Sequence, residues 1–236
     1  MNFVDDMIKQ WNESAKVGPG DPFYATRNYR ITVSMPCWGR PERTKRSIEA
    51  ILTQDMQGWE AIVIGDHCPH FQRLIDTGWI YEKQVEALKT GNKLIAFNAS
   101  DHSGGCGYKQ TNFAIEHARG KYLVFYANDD VILPNHFSNY LEIESTDVDF
   151  MYFNSYIAPG KHIRESSLAP GRVGHSEIIT KTDLARKARP HLDKYGHDWE
   201  FIYDLIRFGK GAKAKSTLTT YHVMHIPNLG TVDKID

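Results

Sequence analysis

No apolar run in this sequence approaches the roughly eighteen consecutive residues that a membrane-spanning helix requires. The opening stretch MNFVDDMIKQWNES has neither a basic segment nor an apolar one, so no secretory signal is expected in it. Cysteine is scarce. Cys37, Cys68 and Cys106 are odd in number, far apart and form no C-x-x-C. That spacing excludes a disulfide framework or a zinc knuckle and fits a reducing compartment, so a cytoplasmic protein is expected. Net charge is lacking too: 28 Lys and Arg against 29 Asp and Glu leave −1, with no global positive field to draw in nucleic acid or an anionic membrane. There is no internal repeat or low-complexity tract. Neither G-x-x-x-x-G-K-[ST] nor G-x-G-x-x-G occurs, which removes a P-loop and a dinucleotide fingerprint. What remains is 236 residues, 41% hydrophobic and 24% charged, an ordinary globular composition sufficient for one sizeable domain.

Within that chain, Phe3, Val4, Met7, Ile8 and Trp11 recur at helical spacing, which predicts a short amphipathic helix strapped onto the domain, with Asp5, Asp6 and Glu13 on its polar face. VGPGDP ends it as a loop, so residues 1–26 read as an N-terminal helix and loop ahead of a domain at 27–236. From there short β-branched runs alternate with helical patterns. YRITVSMP, WEAIVIGD, NKLIAFN and KYLVFYA read as strands; PERTKRSIEAILTQ, LIDTGWIYEKQVEALKT and KQTNFAIEHA read as helices. The alternation predicts an α/β fold with a mainly parallel central sheet flanked by helices. The second half is less regular: strands in DVDFMYFNSYI, SEIITK and KSTLTTYHVMH, helices after Pro134, in TDLARKA and in HDWEFIYDLIRF, the last capped by Gly209. In such sheets ligands sit beyond the carboxyl ends of the strands. That rule selects residues 36–42, 66–70, 101–108 and 128–130, which hold all three cysteines and the Asp129-Asp130 pair.

Two adjacent acids at a strand end repel each other unless a cation or a hydroxyl-rich ligand is present, and their oxygens suit Mg²⁺ or Mn²⁺ bound with a diphosphate. By itself such a pair as often only caps a turn or helix. Its surroundings add more. ITVSMPCWGRPE, WEAIVIGDHC, TNFAIEHARGKYLVFYANDDVILP and GHDWEFIYDLIRFG, in that order, resemble the four signature stretches of glycosyltransferase family two, nucleotide-sugar-dependent enzymes of the GT-A fold. The resemblance covers roughly residues 30–225 and is strongest in the third stretch.

The resemblance implies a single GT-A-type domain, with a Rossmann-like, nucleotide-sugar-binding half at 27–130 and a smaller acceptor half at 131–236. It implies a donor site in which Pro36, Cys37 and Trp38 line the nucleobase, with Arg40 and Glu42 near the ribose and phosphates. Asp66 would contact the base, Asp129 and Asn128 the ribose side, and Asp130 with Asp129 the metal. Asp198 stands in the place of the general base, flanked by His197, Trp199 and Glu200 on the acceptor side. His222, near the C-terminus, is a further candidate metal ligand, and His225 a lesser one. The reaction implied is transfer from a UDP-sugar to an acceptor hydroxyl with inversion, assisted by Mn²⁺ or Mg²⁺. The acceptor expected is a glycan, a lipid-linked sugar or a protein. A DNA acceptor is not favoured by the net charge of −1, although residues 27–46 carry six basic side chains.

The sequence also departs from the family pattern. Ala127 stands where an acid is usual, Gly65 replaces the first acid of the second-strand pair, and Thr111 replaces an arginine, leaving Lys109 to face the phosphates. These departures keep open a catalytically silent nucleotide- or sugar-binding module of the same fold. A sugar-1-phosphate nucleotidyltransferase ranks lower, because PCWGRPE lacks the glycine-rich basic loop it needs.

Overall fold

The computed structural model describes residues 3–15, 28–104, 107–157, 162–188, 198–214 and 222–223. In chain order the first half runs α1 (Phe3–Ala15), β1 (Tyr29–Cys37), α2 (Pro41–Leu52), β2 (Trp59–Gly65), α3 (Pro69–Asp76), α4 (Trp79–Lys89), β3 (Lys93–Asn98), α5 (Tyr108–His117) and β4 (Gly120–Phe125). The second half adds β5 (Asp130–Val131), α6 (Tyr140–Glu144), β6 (Phe150–Tyr152), β7 (Ser155–Ile157), β8 (His162–Arg164), β9 (Ile178–Lys181), α7 (Thr182–Ala185), α8 (Asp198–Phe208), β10 (Gly211–Lys213) and β11 (His222–Val223).

Seven strands form the central sheet in the order β10-β6-β9-β4-β1-β2-β3. The four strands expected from the first half are mutually parallel, and β9 is antiparallel to both β4 and β6. A second, four-stranded sheet has the order β5-β11-β7-β8. The mixed α/β architecture is therefore the one the alternating pattern predicts.

The near-continuous apolar strands have the reason anticipated: both faces of the sheet are covered. Successive side chains alternate between layers. Val33, Met35, Ala61, Val63, Leu94, Tyr122 and Val124 pack with Ile48 and Ile51 of α2, Phe71 and Leu74 of α3 and Ile80 of α4. Their neighbours Ile62, Ile64, Ile95 and Phe97 face the other way, onto Met7 and Trp11 of α1 and Phe113 and Ala114 of α5. Further along that face Leu123, Phe125 and Ile178 pack against Phe201, Ile202 and Leu205 of α8.

Four local differences from the sequence reading have physical causes. The single helix expected over LIDTGWIYEKQVEALKT is two, because Gly78 takes a left-handed conformation (φ +80°) and its N–H closes α3 on the Ile75 carbonyl at 2.9 Å. The strand expected in DVDFMYFNSYI divides between the two sheets, as β6 and β7. β10 was not anticipated at all; it lies beside β6 because Gly211 has no Cβ, which would overlap the Phe150 ring. Finally, Asp6 of α1 does not face solvent. It is buried and accepts from Ser100 N–H (3.1 Å) and Gln10 Nε2 (2.9 Å), and although burial opposes its charge, these bonds hold its pKa below the usual value.

Candidate active site

The four strand ends selected by the sheet rule converge on one edge. β1 leaves the sheet at Cys37 and β2 at Gly65, with the Asp66 N–H donating to the Cys37 carbonyl at 3.0 Å. From the β4 exit, Asn128 Nδ2 donates to Thr44 Oγ1 (2.9 Å) and to the carbonyls of Trp38 (3.3 Å) and Gly39 (3.4 Å). Asn128 thus ties the two exits together with its own amide. Arg40 pairs with Asp129 across the same gap. Arg40 adopts φ +49°, a left-handed conformation that costs a non-glycine residue about 1–2 kcal/mol, and its guanidinium reaches Asp129 from there.

Asp66 is buried and held by several donors. Its carboxylate accepts from the N–H groups of Ser103 (2.7 Å) and Gly104 (3.2 Å) and from Gln110 Nε2 (2.6 Å), and His102 Nδ1 lies at 2.8 Å. The His102 ring lies 4.4 Å from that of Trp38, tilted by 36°. Trp38 is itself 47% exposed beside the strand ends. So the loop after β3 brings an imidazole against both groups that the resemblance assigns to a nucleobase. Gly107, in a left-handed conformation (φ +78°), lets this loop close on Pro36, whose side chain a Cβ would strike.

Other expected donor residues are placed differently from one another. Cys37 is buried in the core layer under α2, and burial, with Cys68 beside it, pushes its thiol pKa well up; only its backbone reaches the cleft. Glu42 lies on the exposed surface of α2, where it pairs with Lys45 at 3.0 Å. Lys109 sits in the first turn of α5 with its ammonium 5.8 Å from the Tyr108 ring centre. The missing family acid at Gly65 also has a steric basis. A side chain there would overlap Asn98 Oδ1 and the Phe71 ring, and that oxygen is needed to accept the Cys68 N–H at 2.9 Å.

Asp130 opens β5 and is buried, with Oδ2 accepting from Ser176 Oγ at 2.8 Å. Burial, reinforced by the neighbouring Asp129 charge, pushes its pKa from 3.8 up to about 8. Two adjacent carboxylates, one of them too poorly solvated to ionise readily, are a donor set that a hard divalent cation would relieve, so the residues fit Mn²⁺ or Mg²⁺. Among the described residues no group of three or more His, Cys, Asp or Glu is gathered for a metal. Asp129 and Asp130 are the described carboxylates that would hold such a cation. β11 pairs with β5 so that Val223 stands across from Asp130 and His222 across from Val131. His197 and His225 lie outside the described residues.

Asp198 begins α8, and its side chain is 38% exposed. Trp199 is half-buried at the margin of the α8 layer, 6.4 Å from the Tyr203 ring, and Glu200 is in the same first helical turn. What the sequence did not reveal is the link between Asp198 and Asp130. The turn at residues 174–177 touches both: Ser176 holds Asp130, while the His175 ring lies 3.4 Å from Asp198 Oδ1 and the His175 N–H points at Oδ2 over 3.5 Å. The signal available was only that Gly174-His175-Ser176-Glu177 directly precedes a strand, β9, antiparallel to β4.

No family model matches the chain. WcaA of Escherichia coli K12, named as a colanic acid biosynthesis glycosyl transferase, is 28% identical over 145 residues, 61% of this chain and 48% of WcaA. WfgD of Escherichia coli, named UDP-Glc:alpha-D-GlcNAc-diphosphoundecaprenol beta-1,3-glucosyltransferase, is 22% identical over 153 residues, 64% of this chain and 56% of WfgD. The chain thus spans about half the length of the curated relatives it matches. Among solved structures, residues 1–349 of Staphylococcus aureus TarS bound to UDP superpose with a TM-score of 0.64 at 15% identity, covering 82% of this chain and 60% of that one. The mannosyltransferase PcManGT of Pyrobaculum calidifontis, in complex with GDP-Man and Mn²⁺, gives 0.60 at 14% identity, covering 93% and 64%. The chain is thus similar in sequence to proteins named as glycosyltransferases, and it shares the GT-A-type α/β fold of solved glycosyltransferase structures.

Proposed function

We propose that this protein transfers a sugar from a nucleotide-diphospho-sugar, a UDP-sugar first among the donors, to the hydroxyl of an acceptor, with inversion at the anomeric carbon. The observation that carries the reading is the convergence of three groups at one sheet edge: the exposed Trp38 beside Asp66, the Asp129-Asp130 pair, and Asp198 joined to Asp130 through one turn. UDP in the TarS complex and UDP-Glc in the name of WfgD support the choice of nucleotide. The same relative's diphosphoundecaprenol-linked acceptor favours a lipid-linked sugar over a protein or DNA.

In this reading residues 27–130 bind the donor and 131–236 the acceptor, behind the N-terminal helix and loop of residues 1–26. Trp38 offers its face to the base and Asp66 an acceptor for a base N–H. Arg40 and Lys109 place positive charge where a diphosphate would lie. Asp129 and Asp130 would hold Mn²⁺ or Mg²⁺, which supplies Lewis-acid charge to the departing diphosphate. Asp198, at the start of α8, takes the proton of the acceptor hydroxyl as it attacks. Attack on the face opposite the leaving group inverts the configuration. The two described cysteines, buried and unbridged, agree with a cytoplasmic site of action, and no helix among the described residues is long and apolar enough to cross a membrane.

Isothermal titration with UDP, with and without Mn²⁺, tests the donor site. Metal-dependent binding that Asp130→Ala abolishes is expected; no binding of UDP or of other nucleoside diphosphates would remove the reading. A silent binding module of the same fold is the second reading, favoured by the engagement of Asp66 with the protein's own loop. Turnover of a UDP-sugar separates the two, with Asp198→Asn as the inactive control.

A further inference from the structure

His175 has no role among those the family resemblance implies, yet its ring is packed between two aromatic side chains and beside a carboxylate. It stacks on Phe125 of β4 (centroids 4.9 Å apart, 27°) and meets the edge of Phe201 of α8 (5.4 Å, 75°). With the imidazole packed between these two buried aromatics, its Nδ1 lies 3.4 Å from Asp198 Oδ1. The backbone N–H of the same residue points at the other carboxylate oxygen, Oδ2, over 3.5 Å. Both oxygens of Asp198 are therefore addressed by one residue.

The turn that presents His175 is itself anchored from below. Buried Glu177 accepts the Gly174 N–H at 2.8 Å and the Ser155 hydroxyl, and lies 3.4 Å from Arg164 Nη2. One residue after His175, Ser176 donates to Asp130. A rigid four-residue turn thus sets where Asp198 stands relative to the carboxylate pair.

Building on the glycosyltransferase reading above, we infer that His175 is a positioning residue for Asp198, holding its carboxylate so that it accepts the proton of the acceptor hydroxyl. The step balances without a further partner. The acceptor oxygen forms its bond to the anomeric carbon, the bond from that carbon to the diphosphate oxygen breaks, the diphosphate leaves with the electron pair, and the proton ends on Asp198. The 3.4 and 3.5 Å contacts are long for closed hydrogen bonds, and contacts of this kind tighten when substrate is in place. The logic is that of an oriented base: one group takes the proton and a neighbour fixes its geometry.

Two measurements test it. The first needs no substrate: ¹⁵N NMR titration of the imidazoles of the metal-free protein, with the His175 signal assigned from His175→Asn. Asp198→Asn should lower the pKa of His175 by roughly half a pH unit or more, because the nearest carboxylate is gone while Glu177 and Asp130 remain on either side of the turn. An unmoved pKa would overturn the contact. The second is hydrolysis of UDP-glucose in the presence of Mn²⁺, with water as acceptor. His175→Ala and His175→Phe should each lower kcat roughly 10–100-fold, with KM for UDP-glucose and UDP affinity unchanged. His175→Asn, which keeps an N–H donor near the place of Nδ1, should recover part of the loss. Wild-type turnover in His175→Phe, which fills the space between the two phenylalanines without a donor, would reduce His175 to packing and sink the inference. Wild-type protein that binds no UDP would instead overturn the donor reading, and the titration would still decide whether His175 and Asp198 interact.

Discussion

Asp130 shows how one side chain can be a liability to folding and an asset to binding. Its carboxyl titrates near 3.8 in an unfolded chain and at about 8 in the fold, because burial and Asp129 oppose its charge. A raised pKa means that the folded state holds a proton the unfolded chain has released. The stability contributed by this group is therefore full below about pH 4 and declines as the pH rises towards 8. Asp130→Asn removes that dependence and keeps an oxygen for the Ser176 hydroxyl. Thermal melts of the metal-free proteins should coincide near pH 4 and separate with rising pH, the variant melting higher at pH 8. A constant gap across the range would contradict the burial argument. His102 is the reverse case, engaged within the fold and standing in the way of a base. Its ring occupies Trp38 and Asp66 together, so a base that binds there must displace it, and apparent affinity falls by the fraction of protein in which the ring is out. His102→Ala should tighten UDP binding several-fold by calorimetry; equal or weaker binding would show that the base uses another surface. The sequence named Trp38 and Asp66 by resemblance but gave no hint of His102, since a pairing across 36 positions has no local signature.

Helices and strands were legible wherever a regular apolar period met a clear stop. β1 to β4 and α2, α5 and α8 follow from such periods, and the ligand-binding edge follows from their order. Legibility failed where an element depends on a distant contact. α1 was readable as a strap, but not that it seals the sheet's edge. Ser14 donates to the Ala96 carbonyl (3.0 Å) and accepts the Ala96 N–H (2.9 Å), so one hydroxyl satisfies the exposed backbone of β3, while Gln84 Nε2 donates to the same hydroxyl at 3.2 Å. Ser14→Ala would leave buried backbone groups without partners, a loss of about 1–3 kcal/mol. In a chain of this length that is a fall of a few degrees in Tm, readable by calorimetry without any ligand; an unchanged Tm would mean that α1 is held by its other contacts, those of Asp6, Met7 and Trp11 among them. β10 and the division of 147–157 between two sheets were equally hidden, because each depends on what Phe150 and Glu177 meet across the fold.

Taken whole, the molecule joins a regular donor side to an irregular second half through very few elements, and those elements carry the site. β9 enters antiparallel beside β4, so the turn before it arrives at the same edge where β4 delivers Asp129 and Asp130. α8 packs on the far face of β4 through Phe125 and Phe201, which brings Asp198 to that turn. Binding at the edge should therefore be felt by both halves rather than by the donor strands alone. UDP with Mn²⁺ at a hundred times its dissociation constant would stabilise the folded protein by about 2.7 kcal/mol if it binds only that state, a rise of several degrees in Tm. Asp130→Ala should lose the part of the rise that depends on Mn²⁺. Hydrogen exchange offers the sharper readout, since protection should increase in α8 and in residues 174–177 as well as after β1 and β2. Protection confined to the ends of β1 and β2 would mean that the second half is only a neighbour of the donor site, and that the turn joining Asp130 to Asp198 transmits nothing between them.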